Sequence, residues 1–321
     1  MKGVRNLMLL SKAIEGFVLH ARGGRYSPNY IPAIEGQARQ IIKFFGDREV
    51  ESLTVTDWLN YFNYLRHDYK PKRLNGDQSP LSEATIDNHW KMIRSFYGWA
   101  TTILSIERPD LKLPRPKYES PETIPFTQDE CKRILEACEY TQVIKQSGRT
   151  YRIKRPNADR DKTIVMILLD TGIRSGEFKR LRIGDVNLEN GEVYIRPYRD
   201  GRKSKPRTVF LGIRTRQIVW KYIAKMQANE DQSQPLIDIS SASIRILLRR
   251  IGHNAKVPHV HPQRFRNTMA ITYLRNGGDV FTLQRLLGHS TLEMTQRYLA
   301  IAKSDVANAH KNASPVDRWK L

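Results

Sequence analysis

Thr171-Gly172-Ile173-Arg174-Ser175-Gly176-Glu177 follows an apolar run from Lys162 to Asp170 and reads as a helix, a glycine stop and the start of a second helix. A second stretch, Leu286-Leu287-Gly288-His289-Ser290, again places glycine after apolar residues, and Tyr298 follows nine residues after the histidine. Between them lies His261-Pro262-Gln263-Arg264-Phe265-Arg266-Asn267-Thr268, a helix start with proline just inside it. A basic turn, Arg199-Asp200-Gly201-Arg202-Lys203-Ser204, joins two short alternating segments, Gly191–Pro197 and Pro206–Leu211, as a β-hairpin. Each pattern alone has a plain reading: a surface arginine, a solvated basic turn, a core aromatic. Their order along the chain is what carries information.

The 321 residues include 54 basic and 33 acidic side chains, a formal charge of +21. An excess of that size favours a polyanionic partner, and most of it lies after residue 120. Hydrophobic residues make up 40%, enough for packed cores and too many for a disordered basic tail. Two cysteines, Cys131 and Cys138, exclude a disulfide framework and a four-cysteine zinc site. They sit in one expected helix, where packing is the simplest role. No apolar run approaches the roughly 18 residues that span a bilayer, and the N-terminal residues lack a signal-peptide pattern.

The length favours two domains, and prolines mark the break. Pro109, Pro114, Pro116, Pro121 and Pro125 preclude a continuous helix over that stretch. Residues 1–107 are therefore expected to form a helical domain, 108–124 an extended linker, and 125–321 a second domain with a C-terminal tail. In the first domain a helix is expected from about Leu7 to His20. Three apolar stripes follow: Ile31, Ile34, Ala38, Ile41, Ile42 and Phe45; Trp58, Leu59, Phe62 and Leu65; Ile86, Trp90, Ile93, Phe96, Tyr97 and Ala100. Their aromatics read as core and not as a base-stacking surface. Ser82 is a candidate N-cap, and Thr127 with Glu130 a capping box. The basic run Lys145, Arg149, Arg152, Lys154 and Arg155 reads as a flexible loop able to touch phosphate. The fold class is mainly α with a small β-sheet.

Taken together, the four patterns resemble the tyrosine recombinases, or phage-type integrases, and among them the bacterial Xer-like integrases. The likeness spans roughly residues 123–315, with a weaker match of the N-terminal bundle to the family's core-binding (SAM-like) domain. Asp305, Ala309-His310 and Ser314-Pro315-Val316-Asp317 resemble the tail of such integrases. The resemblance implies a mixed α/β catalytic domain that closes on duplex DNA together with the helical domain. It implies strand cleavage through a covalent 3′-phosphotyrosine, without metal, ATP or other cofactor. Arg174 and Arg266 match the arginines that clamp the phosphate, a task for which guanidinium forks are suited. Tyr298 matches the nucleophile, His289 a hydrogen-bond partner of the phosphate, Lys203 the general acid, and Glu177 a residue that holds its neighbours. Arg202 and Lys205 remain alternatives to Lys203.

Two positions depart from the family pattern. Gln263 stands where histidine is usual three residues before the second arginine, and Asn267 replaces a familiar histidine after it. Gln263 can donate a hydrogen bond to phosphate but cannot act as a base. Pairing His261 with Arg264 would restore the letters, yet it disturbs the spacing to His289. His253, His259 and His261 lack carboxylate or cysteine partners nearby, so a metal cluster is not expected. The implied assembly is a homotetramer on paired DNA sites, in the cytoplasm at the nucleoid, with the tail from Lys303 to Leu321 acting between subunits. Integration, excision, transposition and dimer resolution are all compatible with the resemblance. A type IB topoisomerase and a non-catalytic DNA-binding descendant are the rival readings.

Overall fold

A computed structural model describes residues 8–24, 26, 30–73, 76–119, 124–141, 144–146, 149–198, 206–226, 231–301, 310 and 314–319. The chain divides into two compact units, Met1–Pro121 and Glu122–Leu321.

The first unit holds α1 (Leu10–Gly23), α2 (Tyr30–Phe45), α3 (Val55–His67) and α4 (Glu83–Leu104). α3 starts on a Thr54/Asp57 capping box and α4 on the Ser82 hydroxyl, as the sequence indicates. The aromatic stripes are core. Trp58, Tyr61, Phe62, Phe96 and Tyr97 are buried, and Trp58 Nε1 donates to the Tyr97 hydroxyl at 3.0 Å. Leu59, assigned to the second stripe, is instead 42% exposed. The buried positions of α3 are 58, 61, 62 and 65, the spacing that keeps side chains on one helical face. Burial also pushes the His89 imidazole down to about 4, so it meets the Tyr61 hydroxyl as a neutral ring, at 3.1 Å.

The segment expected to be an extended linker from residue 108 begins as part of this unit. Pro109–Lys112 form a 3₁₀ turn against α3 and α4. Leu113 is buried in the bundle core, and its carbonyl accepts from Trp90 Nε1 at 3.2 Å. Asp110 is buried and paired with Arg108 at 2.7 Å and Arg94 at 3.4 Å; Arg115 pairs with buried Asp87 at 2.8 Å. Proline stops the α-helix, but the residues between the prolines still have apolar and charged groups to satisfy, and the bundle satisfies them.

The second unit opens with α5 (Gln128–Glu139), capped by Thr127 and Glu130. A small hairpin follows, β1 (Ile144–Gln146) and β2 (Arg149–Tyr151). The basic run is therefore not a plain loop. Arg152 pairs with Glu136, and Arg155 with buried Asp161 at 2.8 Å, so these two charges are engaged within the fold. Next come α6 (Ala158–Thr171), the single-turn α7 (Ser175–Phe178), β3 (Glu192–Ile195) and β4 (Arg207–Phe210). The strands pair antiparallel with Glu192 opposite Phe210 and Ile195 opposite Arg207. Helices complete the unit: α8 (Ile213–Lys225), α9 (Ser241–Ala255), α10 (Pro262–Arg275), α11 (Val280–Leu287) and α12 (Glu293–Ile301). A short helix, Pro315–Trp319, lies in the tail. The expected tail helix from Ala302 to Lys311 falls almost wholly outside the described residues.

α6 is the organising element. It starts earlier than its apolar run, because Asp159 and Asp161 occupy the first turn, where carboxylates favour the helix dipole. Ile164, Val165, Ile167 and Leu168 are buried, and the helix packs on α5, α8 and α10. A second, smaller cluster joins Ala270, Ile271, Leu274, Leu283, Leu287 and Tyr298. No helix among the described residues is long and apolar enough to cross a membrane.

Leu113→Ala is expected to cost about 2–4 kcal/mol of stability, the range for a buried leucine, measured by urea unfolding of the full chain. A change within ~0.5 kcal/mol, the range of exposed positions, would show that this segment does not belong to the bundle.

Candidate active site

α6 and α11 end alike. Each is stopped by a glycine in the left-handed conformation, Gly172 (φ 62°) and Gly288 (φ 63°), where a side chain would be strained. Space is short as well. A Cβ on Gly172 would meet Leu287 Cδ2 at 3.2 Å, and one on Gly288 would meet the Arg207 guanidinium at 3.0 Å. Each helix end also presents a carbonyl to the same side chain. Arg266, buried on α10, donates from Nη1 to Gly172 O at 2.8 Å and from Nη2 to Leu287 O at 2.6 Å. Burial and the nearby Arg174 charge lower Arg266 to about 9, so it remains a cation at neutral pH.

Arg174 follows Gly172 directly and caps α7. Its backbone N–H donates to Glu177 Oε2 at 2.9 Å and its Nη1 to Oε1 at 3.2 Å. Glu177 is buried, and Arg207 grips both its oxygens, at 2.9 and 2.8 Å. Arg207 Nε in turn donates to Leu286 O at 2.7 Å. Burial by itself would raise the Glu177 carboxyl. The Arg207 hydrogen bonds and charge, joined by the Arg174 N–H and charge, outweigh it and hold the group at about 2.

His289, just past Gly288, is buried, and its Nδ1 lies 2.8 Å from the hydroxyl of buried Thr295. Burial, then the charges of Arg266, Arg174, Arg297 and Arg207, lower its imidazole to about 4. It is therefore neutral near pH 7. Its ring stacks on Tyr298, with centroids 6.2 Å apart and an interplanar angle of 12°. Tyr298 is 0% exposed. Its hydroxyl donates to Asn267 Oδ1 at 2.9 Å, and the Arg297 guanidinium lies 5.1 Å from its ring centroid.

The structure thus brings Arg174, Arg266, His289 and Tyr298 together, with Glu177 behind Arg174. Gln263, expected to donate to phosphate, points one N–H elsewhere: its Nε2 donates to Asn267 Oδ1 at 2.9 Å. Lys203, with its alternatives Arg202 and Lys205, lies outside the described residues. The pairing of His261 with Arg264 does not reach the site. Arg264 donates to Pro258 O at 2.6 Å and to Glu130 at 3.0 Å, and its guanidinium sits 4.1 Å from the Phe126 ring centroid. It braces the start of α5. Among the described residues no group of three His, Cys, Asp or Glu side chains could hold a metal ion.

Sequence reading missed Arg207 and Thr295 as parts of this site. Arg207 had a signal: it shares strand parity with buried Val209, so an arginine was due on the inward face of β4. Thr295 had none, since nothing local marks its hydroxyl as the partner of a histidine.

A profile of the phage integrase family matches residues 125–305. The chain belongs to the phage integrase family. It is 27% identical over 266 residues to "Tyrosine recombinase XerA" of Saccharolobus solfataricus, covering 83% of this chain and 79% of that protein. It is 26% identical over 283 residues to "Tyrosine recombinase XerC" of Staphylococcus epidermidis, covering 84% and 86%. The family and these relatives make it a site-specific tyrosine recombinase. The fold is shared with the Tn1549 transposon integrase in complex with transposon right end DNA, at a TM-score of 0.68, 18% identity and coverage of 96% and 100%. It is shared too with a lambda integrase dimer bound to a COC′ core site, at 0.66, 16%, and coverage of 91% and 95%. In this family member the two motif glycines, one carbonyl-binding arginine and one buried carboxylate fix the site before any ligand is considered.

Glu177→Gln leaves Arg207 buried without its counter-charge and is expected to cost about 3 kcal/mol at pH 7. The Glu177 carboxyl is lower in the fold than its ordinary 4.5. Its contribution is therefore present above about 4.5 and lost as pH falls towards 2. Urea unfolding at stepped pH should show the acid loss shrinking in the variant. Equal stability of the two proteins at pH 7 would show that the ion pair contributes nothing net.

Proposed function

We propose that the recombinase cuts and rejoins duplex DNA through a 3′-phosphotyrosine formed on Tyr298, with neither metal nor ATP. The observation that carries this reading is the convergence of two guanidinium groups, a neutral imidazole and one tyrosine hydroxyl on a single site. In the cleavage step the Tyr298 oxygen forms a bond to phosphorus and its proton passes to water. The bond from phosphorus to the 5′ oxygen breaks, and Lys203 supplies the proton that this oxygen takes up. The ester bond is exchanged for another ester bond, so rejoining requires no energy source.

Arg174 and Arg266 oppose the negative charge that builds on the non-bridging oxygens. The two arginines are held differently. Arg266 is fixed by two carbonyls, whereas Arg174 has its side chain 38% exposed and can close on a phosphate. Glu177 keeps Arg174 oriented from behind. A Thr295 hydroxyl that donates to His289 Nδ1 leaves the Nε2–H free to donate to a phosphate oxygen. Gln263 stands at the rim of the site, next to the nucleophile.

Duplex DNA is the partner. The formal charge of +21 supports it, and so do the DNA-bound fold relatives. By the same likeness, four copies on two paired sites would exchange strands, with the tail from Lys303 to Leu321 crossing between copies. The family's DNA chemistry places the protein at the nucleoid in the cytoplasm.

Tyr298→Phe and Arg174→Lys test the reading. The probe is a nicked duplex whose site has been selected from a random-sequence library by binding to the Tyr298→Phe protein. Wild type should become covalently attached to it. Tyr298→Phe should attach none while binding the intact duplex as wild type does. Arg174→Lys, which keeps the charge but loses the fork, should cleave about a hundredfold more slowly. Covalent attachment by Tyr298→Phe at the wild-type level would remove the assignment.

Binding should also weaken steeply with salt. Each phosphate neutralised contributes a log–log slope of about −0.9 on B-form DNA. Titrations from low to moderate salt that return a slope near zero would show that the positive charge does not drive binding.

A further inference from the structure

The tyrosine hydroxyl is not free. Tyr298 is 0% exposed and packs in the cluster of Ile271, Leu274 and Leu287. Its only short hydrogen bond among the described residues goes to Asn267 Oδ1, at 2.9 Å. The same oxygen accepts from Gln263 Nε2, also at 2.9 Å. Gln263 and Asn267 lie one helical turn apart on α10, so the chain Gln263–Asn267–Tyr298 runs from an exposed amide to a buried hydroxyl. Both lone pairs of the Asn267 oxygen are engaged, and the Gln263 N–H fixes which end of the Asn267 amide faces the tyrosine. These are the two positions at which the chain departs from the histidines usual in its family.

We infer that Asn267, oriented by Gln263, is a latch on Tyr298 that holds the nucleophile as a bound donor at rest and must let go before the strand is cut. The inference rests on the recombinase reading above. Its physical basis is the direction of the bond. The hydroxyl gives its hydrogen to an amide oxygen, which is too weak a base to take the proton at neutral pH. When the tyrosine oxygen bonds to phosphorus its proton has gone to water, so nothing remains for Asn267 to accept. The bond exists in the ground state and not in the transition state, and such an interaction slows the chemical step. Arg297, with Nη2 3.4 Å from the tyrosine oxygen, acts in the opposite sense: it can donate to an oxygen that has lost its hydrogen. Burial reinforces the latch, since the hydroxyl reaches a phosphate only if α12 or the Tyr298 side chain moves.

Asn267→Ala and Gln263→Ala, singly and together, test this. Asn267→Ala should raise the single-turnover rate of covalent attachment to the nicked duplex by roughly three- to tenfold, the worth of one neutral hydrogen bond. Gln263→Ala, a change at an exposed position, should raise it by less. The double variant should match Asn267→Ala, because both act through one bond. Residues that merely supported the fold would lower the rate. A second arm uses DNA-free protein: acetylation of Tyr298 by N-acetylimidazole, read by peptide mass spectrometry, should speed up in the same order. Slower attachment and unchanged acetylation in both single variants would overturn the latch. If Asn267→Ala does not fold, Gln263→Ala decides by the same two readouts. If wild type itself forms no covalent complex, the recombinase reading falls, and the acetylation arm alone decides whether the hydroxyl is held.

Discussion

One buried guanidinium ties the second unit together. Arg266 reaches the carbonyls of Gly172 and Leu287, which stand at the C-terminal ends of α6 and α11. Helix ends of this kind carry unpaired carbonyls and a partial negative charge. A cation placed between two of them is stabilised without a carboxylate partner, and both helix ends are fixed to it. Arg174 follows the first end and His289 the second. The positions of both therefore depend on the same side chain, which itself belongs to the site.

The requirement for glycine follows from this arrangement. A helix must stop abruptly to turn its last carbonyl towards Arg266 and to send the next residues into the site. The left-handed conformation at Gly172 and Gly288 does this, and neighbouring side chains leave no room for a Cβ at either position. Glu177 adds the second constraint. It is buried between Arg207 and Arg174, so one carboxylate balances part of a strongly cationic site and links β4 to α7. The surplus positive charge is left for a ligand to neutralise. The same surplus keeps His289 uncharged, which limits it to hydrogen bonding while the site is empty.

Much of this was legible in the sequence because it is local. Thr127 with Glu130, Ser82, and the glycine after Thr171 are caps, set by hydrogen bonds within a few residues. The β3–β4 hairpin followed from alternation around a basic turn, and the four recombinase motifs from residue order. Errors arose where contacts are distant. Pro109 and Pro114 do end helical structure, yet Leu113 and Asp110 between them are drawn into the bundle by Trp90, Arg94 and Arg108. Arg152 and Arg155 looked like free cations until Glu136 and Asp161 met them.

The sequence by itself determined the helical class, the capped helix starts, the charge that suits DNA, and the identities of Arg174, Arg266, His289 and Tyr298 as members of one site. Those features depend on short-range periodicity and on residue type. Tertiary structure alone decided that Arg264 braces α5 while its neighbour Arg266 enters the site. Two residues apart on a helix point to different sides, and only the packing of α10 says which side faces α6. It alone brought Arg207 to Glu177, Thr295 to His289, and Asn267 to Tyr298. Each of these contacts joins side chains whose pairing depends on where two elements meet, and no local pattern encodes that meeting.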